Sequence, residues 1–313
     1  MRILITGGAG FIGHNLAREA LAKGHEVRVI DDLSNGYADN LNGLDVDFRK
    51  ASFLDEDAVA SAVKGVDSIV HLGALGSVPR SVADPLRSHH ANATGTLTVL
   101  NEACKADVGH LMCASSSSVY GMNPALPKGE REWVRPMSPY AVSKLATEQY
   151  TLAFQQSFGM ETLAFRFFNV FGPGQRAGHV YAAVIPTWID AMMKGEPVWV
   201  NGDGSNSRDF TYVGTVCAVL LDAAERRVSH PEPTNLAFGT NTKLLDLIAE
   251  LEAATGITAD VRHRAPRLGD VPHSMADNTT LRSLFPAVTP VSLRAGLEQT
   301  AGWFREASET HFV

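Results

Sequence analysis

Tyr140-Ala-Val-Ser-Lys144 places a phenol and an amine four residues apart, one turn apart on a single helix face. Tyrosine alone is a poor base near neutrality, because its pKa is about 10. A nearby ammonium stabilises the phenolate and makes proton abstraction from a hydroxyl feasible. Taken alone, Tyr-x-x-x-Lys is a common coincidence that equally describes an exposed helix pair. The run Ala114-Ser115-Ser116-Ser117-Ser118-Val119-Tyr120-Gly121 adds hydroxyls at the C-terminal end of a predicted strand. That is the edge where open α/β sheets place their ligands. A serine there can hydrogen-bond a reacting oxygen, although any one of four in a row also suits a turn or a cap.

A second signal opens the chain. Ile3-Leu4-Ile5-Thr6 feeds the turn Gly7-Gly8-Ala9-Gly10-Phe11-Ile12-Gly13, and a helical pattern follows. Glycines at 7, 10 and 13 allow a tight turn and close approach of a pyrophosphate, which the helix N-terminus favours. An isolated glycine triplet also suits an ordinary strand-to-helix turn. Here Asp31-Asp32 follow 18 residues after Gly13, at the end of the next predicted strand, which is the context a dinucleotide fingerprint requires. An acidic residue there accepts ribose hydroxyls and repels a 2′-phosphate, favouring NAD over NADP. Asp31 suits that role better; Asp32 reads equally as a solvated turn carboxylate.

The scaffold that must hold these groups is visible in the alternation of short apolar runs and helical stretches. The predicted strands are Arg2–Thr6, Glu26–Asp31, Val46–Arg49, Ser68–Leu72, His110–Ser115 and Thr162–Phe167. Between them lie helical patterns at Ile12–Lys23, Asp55–Val63, Ala91–Ala106 and Tyr140–Phe158. Such βα units predict an α/β fold of the Rossmann type, a doubly wound parallel sheet covered on both faces. After Phe168 the turns Gly172-Pro173-Gly174 and Gly202-Asp203-Gly204 break the pattern and suggest a smaller, loop-rich substrate lobe. The expected division is 1–169 with 209–239 for the NAD-binding domain, and 170–208 with 240–313 for the interleaved lobe.

Composition narrows the class. The 313 residues carry 27 basic and 34 acidic side chains, a net charge of −7, which argues against nucleic acid or anionic lipid as main partner. An apolar share of 45% is that of a globular protein. Three cysteines in no metal-like spacing argue against a disulfide framework. The 11 histidines show no HExxH or paired ligand spacing, so no metal is expected. The opening segment reads unlike a signal peptide, and no apolar run approaches the ~18 residues of a membrane span. The expectation is a soluble cytoplasmic enzyme.

Gly7-x-x-Gly10-x-x-Gly13, Asp31, the serine run and Tyr140-x-x-x-Lys144 together resemble the extended short-chain dehydrogenase/reductases, over essentially the whole chain. Within that superfamily, His71-Leu-Gly-Ala-Leu-Gly-Ser-Val-Pro-Arg-Ser81, Arg166-Phe-Phe-Asn169, Tyr181-Ala-Ala-Val-Ile-Pro186, Asn201-Gly-Asp-Gly204 and Arg208-Asp-Phe210 resemble the UDP-hexose 4-epimerases. The likeness is strongest to the branch acting on UDP-N-acetylglucosamine and UDP-N-acetylgalactosamine. It implies a homodimer with bound NAD, Ser116 as catalytic serine, Tyr140 as acid/base, and Lys144 lowering the tyrosine pKa and holding the nicotinamide ribose.

The resemblance further implies cofactor contacts from Phe11, Ile12, Asp32, Ser34, Asn35 and Gly36, from Ser52 and Phe53, from Leu72, Gly73 and Ala74, and from Asn92. Ser52 stands where an adenine-binding Asp is common, and Phe167 replaces a common Tyr. For the UDP-sugar the implied contacts are Asn169, Ala183, Val184, Val200, Arg208, Arg267 and Asp270, with Ser77, Val78, Ser116 and Ser117 at the hexose. Ser274 falls where a large Tyr restricts such pockets to UDP-glucose and a small residue admits an N-acetyl group; it equally reads as a surface strand residue. Related 4,6-dehydratases carry an Asp-Glu pair directly after the catalytic Ser or Thr. Here those positions are Ser117 and Ser118, so water elimination lacks its carboxylates.

Overall fold

The computed structural model describes residues 1–177, 183–266 and 271–310. Strand β1 (Arg2–Thr6) leads into helix α1 (Phe11–Ala22); β2 (Glu26–Asp31), β3 (Val46–Lys50), α2 (Glu56–Ala62) and β4 (Ser68–His71) follow. Short helices α3 (Val78–Ala83) and α4 (Pro85–His89) run into a π-helical turn at His90–Thr94 and then α5 (Gly95–Lys105). The chain continues through β5 (His110–Ser116), α6 (Pro139–Phe158), β6 (Glu161–Phe167) and β7 (Asn169–Phe171). Next come α7 (Val184–Lys194), β8 (Val198–Asn201), β9 (Ser207–Arg208), β10 (Phe210–Tyr212), α8 (Val213–Arg226) and β11 (Thr234–Leu236). The last elements are β12 (Thr242–Lys243), α9 (Leu244–Thr255), β13 (Val261–Arg264), α10 (Thr279–Leu284) and α11 (Leu293–Thr310).

Seven strands form one parallel sheet in the order β3-β2-β1-β4-β5-β6-β11. The order reverses between β1 and β4, which opens a crevice at the C-terminal strand ends. Strand alternation splits the core between the two faces. Ile3 and Ile5 pack with Leu16 of α1 and Val216 of α8, whereas Leu4 packs with Val59 of α2 and Val99 of α5. The first of these cores runs on without a break into α7, α9 and α11 through Trp188, Leu251 and Leu297.

Three expectations need correction. The helix expected over Ala91–Ala106 is two segments: the π turn opens the ladder, and the Asn92 carbonyl instead accepts from the Thr96 hydroxyl at 2.5 Å and the Thr147 hydroxyl at 3.1 Å. The expected boundary at 169/170 falls inside β7, which pairs in parallel with β10. The region beyond 240, expected to be loop-rich, holds three helices among the described residues, α9, α10 and α11. No helix among the described residues is long and apolar enough to cross a membrane.

Helix α6 is the element on which the proposed chemistry depends, and its ends are set by the sequence. The Ser138 hydroxyl caps it by accepting the Ala141 amide at 3.1 Å, Pro139 occupies its first turn, and Gly159 ends it at φ 71°. Its register on the sheet is fixed by a buried ion pair. Arg166 of β6 donates to both carboxylate oxygens of Glu148, at 2.7 and 2.9 Å, and both side chains are buried. The Ser115 hydroxyl of β5 also donates to Glu148, at 2.9 Å. The Arg166 guanidinium lies 4.7 Å from the Tyr120 ring centre. Removing one partner strands a buried charge, which costs about 3–5 kcal/mol, whereas an apolar pair of similar volume need cost little. Glu148→Gln is therefore expected to lower unfolding stability in urea by about that amount, and Glu148→Leu combined with Arg166→Met to recover most of it.

Candidate active site

One cavity of about 1380 Å³ occupies the crevice. That exceeds the ~300–1,000 Å³ usual for a single ligand and leaves room for two. At its first wall, Gly7 turns at φ +69°, and a Cβ there would lie 2.8 Å from the Gly73 backbone. A Cβ on Gly13 would lie 2.4 Å from the Gly7 carbonyl oxygen. The turn is thus packed backbone against backbone, and only glycine fits there, which brings a ligand's path close to the backbone at the start of α1.

Asp31, at the end of β2, is buried against this turn. Its two oxygens accept the Ala9 amide at 3.0 Å and the Leu33 amide at 2.8 Å. Burial pushes its pKa up, and the two amides oppose that. The carboxylate retains lone pairs for a ligand hydroxyl. Asp32 lies beside it, exposed, and accepts the Ser34 amide at 2.8 Å.

At the opposite wall, Ser116 ends β5. Its oxygen accepts from the Ser118 hydroxyl at 2.9 Å and the Ser118 amide at 3.2 Å. Its own proton is then left free to face the neighbouring Tyr140 phenol. Burial raises the Tyr140 pKa, and the Ser116 contact opposes the rise. Lys144, one turn further on α6, is buried, and its Nζ donates to the Ala114 carbonyl at 2.6 Å. Burial lowers its pKa to about 8. In the protein alone the Lys144 ammonium is turned to the Ala114 carbonyl, and burial is the largest influence on the Tyr140 phenol.

Beneath the site lies a buried polar chain. His71 Nδ1 is 2.7 Å from the Thr6 hydroxyl, and its Nε2 is 3.0 Å from the Thr96 hydroxyl. Burial, reinforced by Lys144, holds its pKa near 3, so it stands neutral.

The structure gathers most sequence-predicted residues into this cavity. Phe11, Ile12, Ser34, Asn35, Gly36, Ser52, Phe53, Leu72, Gly73 and Ala74 line it with the glycine turn; Ser77, Asn169, Ala183, Val184 and Arg208 line it toward the lobe. Five predicted residues are not in its wall. Asn92 is buried, and its amide holds the backbone of Leu75 and the Ser143 hydroxyl, so it positions the 72–76 loop against α6. Val200 is fully buried in the core because alternation along β8 turns its neighbours Trp199 and Asn201 to the cavity instead. Val78 is exposed at the start of α3, and Ser117 begins the 3-10 turn after β5. Ser274 is half-buried, its amide donating to the Ser207 carbonyl at 3.1 Å beside Arg208. Arg267 and Asp270 lie outside the described residues.

Sequence reasoning missed Arg80, Arg176, Arg264, Tyr37, Trp199 and Asn201, all in the cavity wall. Asn201 opens the Asn201-Gly-Asp-Gly204 turn, and the period of the strand pairs it with Trp199. Arg80 stands in the His71–Ser81 motif, whereas Arg176 and Arg264 come from elements distant in sequence and leave no local signal.

Three walls are therefore in place: a glycine turn backed by a buried carboxylate, a serine–tyrosine–lysine set, and a cation-bearing lobe. A dinucleotide would fit this donor set, with Asp31 and the glycine turn available to its adenosine and pyrophosphate end and Lys144 to its far end. With the strand order, these features place the chain among the extended short-chain dehydrogenase/reductases. Residues 3–237 match the NAD dependent epimerase/dehydratase family, and the chain belongs to it.

Its relatives span more than one reaction. A UDP-glucose 4-epimerase of Mycolicibacterium smegmatis is 34% identical over 315 residues, 99% of this chain and 100% of that one. A dTDP-glucose 4,6-dehydratase of Streptomyces niveus is 32% identical over 324 residues, 98% of this chain and 93% of that one. The solved UDP-N-acetylglucosamine 4-epimerase of Methanobrevibacter ruminantium, in complex with UDP-N-acetylmuramic acid, matches at 35% identity with a TM-score of 0.92 over 98% of both chains.

Burying Lys144 costs stability. A drop from 10.5 to about 8 corresponds to a penalty on the order of 3 kcal/mol for the charged form. Because the folded pKa lies below the unfolded one, that penalty is complete below pH 8 and fades as pH rises toward 10.5. NAD-free Lys144→Met is expected to melt no lower than wild type at pH 7, with wild type gaining on it between pH 8 and 10. A clear loss of melting temperature at pH 7 would show that the Ala114 contact outweighs burial.

Proposed function

We propose that the protein interconverts the carbon-4 epimers of a UDP-hexose, taking UDP-N-acetylglucosamine and UDP-N-acetylgalactosamine, with UDP-glucose and UDP-galactose as further substrates. One observation carries the reading. Ser116, Tyr140 and Lys144 share a cavity with a dinucleotide cradle at one end and Arg208 at the other, and no carboxylate follows Ser116. The epimerase relatives support it. Serines at 117 and 118 favour epimerisation over the dehydration performed by the Streptomyces relative, because elimination of water needs a positioned acid and base.

Bound NAD supplies a hydride acceptor that is restored when hydride returns to the sugar. The rest falls to the chain. Ser116 aligns the carbon-4 hydroxyl against the Tyr140 oxygen, and Tyr140 takes the hydroxyl proton as the 4-ketose forms. The ketose turns over in the wide cavity and receives hydride on its other face, and Tyr140 returns the proton. Lys144 keeps positive charge close to the phenolate, which an otherwise apolar burial would disfavour. Arg208 is placed for the diphosphate, which a guanidinium engages through paired donors, and which holds the nucleotide while the hexose rotates.

Incubating the purified protein with UDP-N-acetylglucosamine, then UDP-glucose, without added NAD and following the sugar protons by NMR tests the reaction. The expected result is a mixture of 4-epimers in each case; a released keto-deoxy sugar would instead mark a dehydratase. Tyr140→Phe should lower turnover by about 10²–10⁴-fold, the usual worth of a general acid/base. Ser274→Tyr should cost N-acetylated turnover about tenfold more than UDP-glucose turnover, the loss of roughly 1.4 kcal/mol of discrimination. Equal losses on both sugars would remove Ser274 from substrate selection.

A further inference from the structure

In the sheet, β2 and β4 flank β1. Any link from the loop after β2 to the helix after β4 therefore bridges the walls on either side of the glycine turn that follows β1. Such a link is present. Arg80, on α3, donates from Nη1 to Asn35 Oδ1 at 3.1 Å, and both residues line the cavity together with Gly7 and Gly10. The same loop is held from the lobe by Arg176, whose guanidinium sits 3.8 Å from the Tyr37 ring centre.

The charge balance of the cradle gives this bridge its meaning. A dinucleotide pyrophosphate carries two negative charges. The segment from Gly7 to Gly13 contains no lysine or arginine, so it meets phosphate with amides and a helix dipole worth only a partial charge. Any full positive charge at the pyrophosphate therefore comes from another wall. Arg80 stands on the β4 side of the turn, and its planar fork matches paired phosphate oxygens.

We propose that Arg80 is the cationic half of the cofactor's pyrophosphate site, meeting it from the wall opposite the Asp31 loop, with Asn35 orienting the guanidinium. The helix that begins with Ser77 then serves the cofactor as well as the sugar. This assignment concerns the dinucleotide alone, so it stands or falls independently of which sugar reaction the enzyme performs.

Calorimetric titration of nucleotide-stripped protein with NAD, ADP and adenosine tests it. Arg80→Ala is expected to weaken NAD and ADP by about tenfold or more, the loss of one charge-assisted contact, and to leave adenosine binding unchanged. Arg80→Lys, which keeps the charge without the fork, should regain part of the lost ADP affinity. The ADP difference between wild type and Arg80→Ala should shrink as salt is raised. NAD carried through purification, measured after acid release, should fall in Arg80→Ala. An equal loss for adenosine and ADP would mean that Arg80 only shapes the Asn35 loop, and would overturn the assignment. Unchanged NAD affinity would overturn it as well.

Discussion

The ion pair between Glu148 and Arg166 is the contact on which the geometry of the site rests. Glu148 lies one turn beyond Lys144 on α6, and Arg166 lies on β6, so the pair sets where the helix sits along the sheet. Ser115, next to Ser116, is drawn into the same carboxylate. A slip of α6 by one residue would break three buried hydrogen bonds at once and carry Tyr140 away from Ser116. In a dry interior such a network tolerates no half-satisfied arrangement, which makes it a strong device for register.

The cavity is built by contrast between its walls. The glycine turn contributes no charged side chain, only backbone, two apolar side chains and a helix dipole; the β5–α6 wall contributes hydroxyls and a desolvated amine; the 170–208 segment, β13 and α3 contribute guanidinium groups. An acidic protein can therefore hold ligands of the same sign, because field at a site is set by groups within a few ångströms and not by net charge. The continuous core from the sheet into α7, α9 and α11 keeps the lobe's cations at a fixed distance from the cofactor cradle.

What the sequence made legible was local. Apolar runs such as Ser68–His71 declare buried parallel strands, and the glycine turn with Asp31 declares a phosphate cradle, because each depends on a few consecutive backbone angles. Tyr140 and Lys144 follow from helix periodicity alone. What stayed hidden was non-local or half a strand period away. Asn92 looked like a cofactor contact, but a π turn draws it under the loop at Leu75. Val200 lies in the core while Trp199 and Asn201 face the cavity, the one-residue offset by which a pleated strand exchanges its faces. The arginines at 176 and 264 converge only after the chain has folded, so no spacing announces them.

Asp31 shows how closely stability and selectivity are joined in this fold. Its carboxylate is at once the acidic group a ribose would meet and the fastening that holds the amides of Ala9 and Leu33 to the end of β2. Exchanging it for a small neutral residue to admit a 2′-phosphate would also orphan two donors, one buried and one part-buried, beside the glycine turn. A change of cofactor therefore has to arrive in company, with new acceptors for those amides supplied elsewhere in the loop. The position works as an evolutionary lock: the nucleotide preference of this scaffold is protected by its own architecture.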